Sequence, residues 1–90
     1  MIKIINPFTS FLPHLDLHGE TYSTMKYKID EFIKDNYLMG KEKIVIIHGR
    51  SGNVLKKETP KFLKSNKFVK KYYIDSDNDG QTIVELIKRD

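Results

Sequence analysis

The chain has no cysteine and no tryptophan. Without cysteine there are no disulfide staples, thiolate zinc sites or cysteine nucleophiles, and a reducing compartment suits it. Proline is scarce, at positions 7, 13 and 60, and arginine occurs only at positions 50 and 89. No stretch approaches the roughly 20 apolar residues needed to cross a bilayer. Met1 to Pro13 has no secretory pattern, because Asn6, Pro7, Thr9 and Ser10 break its short apolar run. The expectation is a soluble, cytoplasmic, monomeric protein with no membrane partner.

What is present fits one small domain. Ninety residues leave no room for a second core. Charged residues make up 31% and apolar ones 39%, as in ordinary globular proteins, and five Tyr with five Phe argue for a packed interior. Sixteen basic against twelve acidic residues give a net charge of +4. That is a mild lean toward polyanionic partners.

Residues 1–13 read as an N-terminal extension, limited by two prolines to extended or turn structure. The domain then occupies residues 14–90. "HLDLHG" (14–19) alternates Leu15 and Leu17 with Asp16 and His18, the period of a short strand. From Thr21 the period becomes helical: Tyr22, Met25, Ile29, Phe32, Ile33 and Leu38 share one apolar face through Met39, with Gly40 just past the end. "KIVIIHG" (43–49) is an unbroken β-branched run, suited to a central parallel strand covered on both faces. A loop, "RSGN" (50–53), leads into a first helical turn at 53–58 and a helix ending near Ser65, with Pro60 interrupting. "FVKKYYI" (68–74) and "QTIVELI" (81–87) are two further strands, separated by the turn-forming "DSDNDG" (75–80). The order is βαβαββ: a two-layer α/β (α+β) sandwich with a four-stranded mixed sheet and two helices on one face.

The topology brings chemistry to one place. Two strands joined by a single helix make a right-handed parallel crossover, so their C-terminal ends lie on the same sheet edge. Ligands of open α/β sheets bind at that edge, helped by N–H groups at helix starts. Asp16, His18, His48 and Arg50 therefore converge. Such a set suits phosphodiester chemistry: imidazoles transfer protons, a carboxylate orients one or holds a metal, and a guanidinium stabilises phosphate charge. A strand-end histidine is also commonly structural, its nitrogen bonded to a nearby carbonyl. Two histidines placed just before glycines at two strand ends weaken that blander explanation.

"LDLHG" (15–19), "IVIIHGRSGNVLK" (44–56) and "GQTIVEL" (80–86), at this spacing, resemble the Smr family of small MutS-related domains over about residues 14–87. The resemblance implies a fold similar to the C-terminal domain of translation initiation factor three. It also implies an endonuclease that nicks DNA or cuts RNA, in settings that include the ribosome. By position it carries catalytic roles onto Asp16, His18 and His48, and nucleic-acid contact onto the loop Gly49, Arg50, Ser51, Gly52 and Asn53. RNA cleavage through the 2′-hydroxyl needs no metal; DNA nicking would take Mg2+ or Mn2+, with Asp16, His18 or His48 as ligands. The loop departs from the family pattern, which places glycine where this chain has Ser51 and another near Asn53. Glycine allows close backbone approach to a phosphate, so the alternative is a DNA- or RNA-binding module that has lost cleavage.

Half of the fourteen lysines, seven in number, fall between positions 56 and 71, with Glu58 the sole acid among them. Lys56, Lys57, Lys61 and Lys64 are read as a surface that tracks phosphates beside the site. A solvated helix face is the plainer account of such a run. Asp75, Asp77, Asp79 and Gly80 match the start of a calcium loop, but the bidentate Glu of position 12 is replaced by Leu86. An aspartate-rich β-turn explains them better.

Overall fold

The computed structural model describes residues 11–50 and 54–89. The elements follow the expected order: β1 (His14–Asp16), α1 (Tyr22–Leu38), β2 (Lys43–Ile47), α2 (Val54–Lys64), β3 (Val69–Asp75) and β4 (Asn78–Leu86). They form one four-stranded sheet in the order β1-β2-β4-β3, with β1 and β2 parallel and the other pairs antiparallel.

Both helices cover one face of that sheet. Met25, Ile29 and Ile33 of α1 and Phe62 and Leu63 of α2 close over Ile44 and Ile46 of β2 and Val84 and Leu86 of β4. In-register pairing of Ile44 with Val84 puts those strand residues on the same side. Leu17 completes the cluster from just beyond β1. On the reverse face Val45 pairs with Ile83, and both are buried, as expected of a central strand.

α1 starts where its capping chemistry dictates. Thr21 and Thr24 exchange side-chain and backbone hydrogen bonds in a capping box. Its apolar face is shorter than the expected one: Leu38 and Met39 are exposed, and the buried position of the last full turn is Asn36, whose amide donates to the Phe32 carbonyl. α2 is one continuous helix despite Pro60. The Thr59 hydroxyl donates to the Leu55 carbonyl at 2.6 Å, giving that turn a bond of its own beside the proline.

The strand boundaries differ from expectation where β1 and β2 end and in the β3–β4 hairpin. β1 stops at Asp16 because its carboxylate accepts the His18 N–H at 2.8 Å, and the Glu20 N–H turns back to the Leu17 carbonyl. β2 stops at Ile47, since His48 and Gly49 both direct their amides to the Gly80 carbonyl at 2.9 Å. β3 runs one residue later than expected. β4 begins three residues earlier, so only Ser76 and Asp77 separate the strands and Asp75 pairs with Asn78. Among the described residues no helix is long and apolar enough to cross a membrane.

Candidate nucleic-acid site at the sheet edge

Asp16 is paired in register with Ile47, and the Leu17 N–H donates to the Ile47 carbonyl at 2.9 Å. The ends of β1 and β2 are thus adjacent. Around this junction the side chains form two groups.

The first is Asp16 with His18. Both are exposed, and the Asp16 carboxylate holds the turn through the His18 amide. This leaves the His18 imidazole in solvent at the mouth of the edge.

The second is centred on His48, which is only 3% exposed. Its Nδ1 lies 3.0 Å from the Gly49 carbonyl and its Nε2 lies 2.8 Å from the Thr82 hydroxyl. Burial is the main influence on the ring and lowers its pKa from the ordinary value near 6.5; the Gly49 bond opposes this, Lys56 reinforces it and Asp79 opposes it. In the neutral ring one nitrogen donates and the other accepts. A carbonyl only accepts, so Nδ1 carries the proton and Nε2 receives the Thr82 hydroxyl hydrogen.

His48 thereby ties Gly49 to β4. Gly49 has a φ of 94°, a conformation that favours glycine, and lies against β4 through the Gly80 carbonyl. Gly80 permits the approach: a Cβ there would stand 3.0 Å from Arg50 Cγ and 3.3 Å from the Arg50 backbone nitrogen. Arg50 follows, with its side chain 73% exposed and its Nε 3.5 Å from Asp79 Oδ1. Lys56, from the first turn of α2, donates to the Arg50 carbonyl at 3.1 Å and lies 3.5 Å from Asp79 Oδ2.

Ser51, Gly52 and Asn53 lie outside the described residues. Lys57, Lys61 and Lys64, spaced i, i+4 and i+7, share the exposed side of α2 opposite its buried Thr59, Phe62 and Leu63. Lys61 is also paired with Glu58 at 3.2 Å.

Sequence patterning pointed to Asp16, His18, His48, Gly49 and Arg50, but not to Asp79, Gly80 and Thr82 as their partners. "GQT" preceding an apolar strand was the one available signal. In the "DSDNDG" segment the buried Asp75 carboxylate accepts from the Gln81 side chain at 2.7 Å and from the Asp77 amide, and Asn78 accepts from the Gly80 amide. These bonds hold a hairpin. Among the described residues no three His, Asp or Glu side chains come together as metal ligands.

A mixed four-stranded sheet under two helices, with His48 and Gly49 tied to β4 and Arg50 beside them at the end of β2, defines a small α+β domain. The Smr domain model matches residues 15–87, and the chain belongs to the Smr family. It is similar to Endonuclease MutS2 of Caldanaerobacter subterraneus subsp. tengcongensis, 39% identical over 83 residues that cover 89% of this chain and 10% of that protein. It is also similar to Endonuclease MutS2 of Ligilactobacillus salivarius, 38% identical over 68 residues covering 76% of this chain and 9% of that protein. The chain therefore spans about a tenth of the length of these relatives. Two solved structures share the fold at 20% identity. The Smr domain of Thermus thermophilus MutS2 superposes with a TM-score of 0.80, covering 84% of this chain and 99% of that one. YdaL, a stand-alone small MutS-related protein from Escherichia coli, gives 0.78 and covers 83% and 64%.

Proposed function

We propose that this chain binds nucleic acid at the C-terminal edge of β1 and β2 and cleaves its phosphodiester bonds there. The supporting observation is the junction itself, where the Leu17–Ile47 bond sets Asp16 and His18 beside the loop that His48 anchors. His18, exposed and steered by Asp16, is the group free to move a proton to or from the reacting oxygens. Arg50 and the loop from Gly49 through Ser51, Gly52 and Asn53 hold the phosphate. His48, with both ring nitrogens engaged, acts by positioning that loop. Lys56, Lys57, Lys61 and Lys64 extend the contact along the strand. The relatives' names as endonucleases agree with this assignment.

The test is direct. Labelled single-stranded RNA, structured RNA and supercoiled plasmid are incubated with the protein in Mg2+, Mn2+ or EDTA, beside Asp16→Ala, His18→Ala and His48→Ala. Cleavage of at least one substrate is expected, falling about 100-fold or more in His18→Ala. Cutting retained by both the Asp16 and His18 variants would refute the site. Binding without any cutting would establish the second reading, a non-catalytic module, which the full engagement of the His48 ring favours.

A further inference from the structure

We propose that Asp79 is an internal stand-in for phosphate, occupying the seat that a nucleic-acid strand takes and setting the threshold for its binding. The inference rests on the phosphodiester reading above and adds to it a residue that opposes binding.

The geometry is that of an anion held between two cations. One carboxylate oxygen of Asp79 is 3.5 Å from Arg50 Nε and the other is 3.5 Å from Lys56 Nζ. A guanidinium and an ammonium on two sides of a pair of oxygens is also the arrangement that receives a phosphate. Backbone structure fixes both parties. Asp79 belongs to β4 and immediately precedes Gly80, whose carbonyl takes the His48 and Gly49 amides, so the carboxylate is delivered to the glycine loop and not merely near it. Lys56 is tied to the loop through the Arg50 carbonyl. The charges of Lys56 and Asp79 both reach the His48 ring, with opposite effect, which places these three groups in one field.

Exposure makes the arrangement displaceable. The Asp79 and Arg50 side chains are 61% and 73% exposed, so water and salt weaken their attraction, and their separations exceed those of a tight charged hydrogen bond. A phosphodiester in a polyanionic strand brings neighbouring charges that Lys57, Lys61 and Lys64 meet at the same time. The strand therefore displaces a carboxylate that offers a single charge in competition. Asp79 selects for extended polyanions over isolated anions.

Asp79→Asn removes the competing charge while keeping the shape. Its affinity for fluorescent single-stranded RNA and DNA oligonucleotides is measured across a salt series. Glu31→Gln, an equal charge change on α1, and Arg50→Ala/Lys56→Ala, with and without Asp79→Asn, are measured in parallel. Asp79→Asn is expected to bind about three- to tenfold more tightly at low salt. Its salt dependence should steepen by about 0.7 in log–log slope for each phosphate newly neutralised. Glu31→Gln should gain less, and the gain from Asp79→Asn should vanish without Arg50 and Lys56. A gain no larger than that of Glu31→Gln, or one that persists without the two cations, overturns the proposal while leaving nucleic-acid binding intact. Failure of every variant, wild type included, to bind either oligonucleotide overturns both.

Discussion

Burial favours the uncharged His48 ring, in which Nδ1 donates to the Gly49 carbonyl and Nε2 accepts from the Thr82 hydroxyl. The consequence for stability has a definite sign. Burial lowers the pKa in the folded protein, whereas the unfolded chain takes up its proton near 6.5. The stabilisation from neutral His48 is complete above about 6.5 and is lost as the pH falls through that value toward the lower folded pKa. Urea denaturation at pH 7.5 and at successive steps down to pH 5 should show this loss in the wild type. His48→Gln should begin less stable by about 1–3 kcal/mol, from the hydrogen bonds left unmade, but fall less steeply over that range. Parallel slopes for the two proteins would mean that His48 carries no linked proton. Asp16 and His18 show the other pattern at the same edge, with side chains kept in solvent.

At the scale of elements, the two faces of α2 divide the work. Thr59, Phe62 and Leu63 fasten the helix to the core, while Lys57, Lys61 and Lys64 stand outward at helical spacing. If the lysines track phosphates, replacing all three with Gln should reduce the salt slope of single-strand binding by about 2 and leave the melting temperature within a few degrees. An unchanged slope would return the stripe to the plain role of a solvated face. How far such elements are legible in sequence depends on where their bonds are made. The α1 stripe of Met25, Ile29 and Ile33 and the β-branched run of β2 are local patterns and could be read directly. The start of β4 could not. Asp75 to Gly80 are all turn-forming residues, and the pairing of Asn78 with Asp75 together with the His48 and Gly49 amides on the Gly80 carbonyl draws 78–80 into the strand. The site divides in the same way. Asp16, His18, His48 and Arg50 announce themselves at strand ends. Thr82 acquires its part across a sequence gap of 34 residues, for which no local pattern exists.

Over the whole molecule, core and site meet at Leu17. Its side chain is fully buried in the central cluster, although Asp16 and His18 on either side of it are exposed. Its amide also ties the first strand to β2 beyond the three paired residues of β1. A three-residue strand at the sheet margin has little pairing of its own, so the hold of Leu17 on the core keeps the Asp16–His18 turn beside the loop. Leu17→Ala should cost about 2–5 kcal/mol. In a domain of this size that lowers the melting temperature by roughly 10–30 °C. The effect on the site should exceed the effect on the fold. At about 10 °C, where far-UV circular dichroism should still report a folded chain, amide exchange in residues 14–20 should rise well above that in β2, as expected for a locally opened edge. Oligonucleotide affinity should drop with it. If β1 and β2 amides instead lose protection together, the edge and the core open as one unit. If affinity survives while residues 14–20 exchange freely, binding depends on the Arg50 loop and α2 without the Asp16–His18 turn.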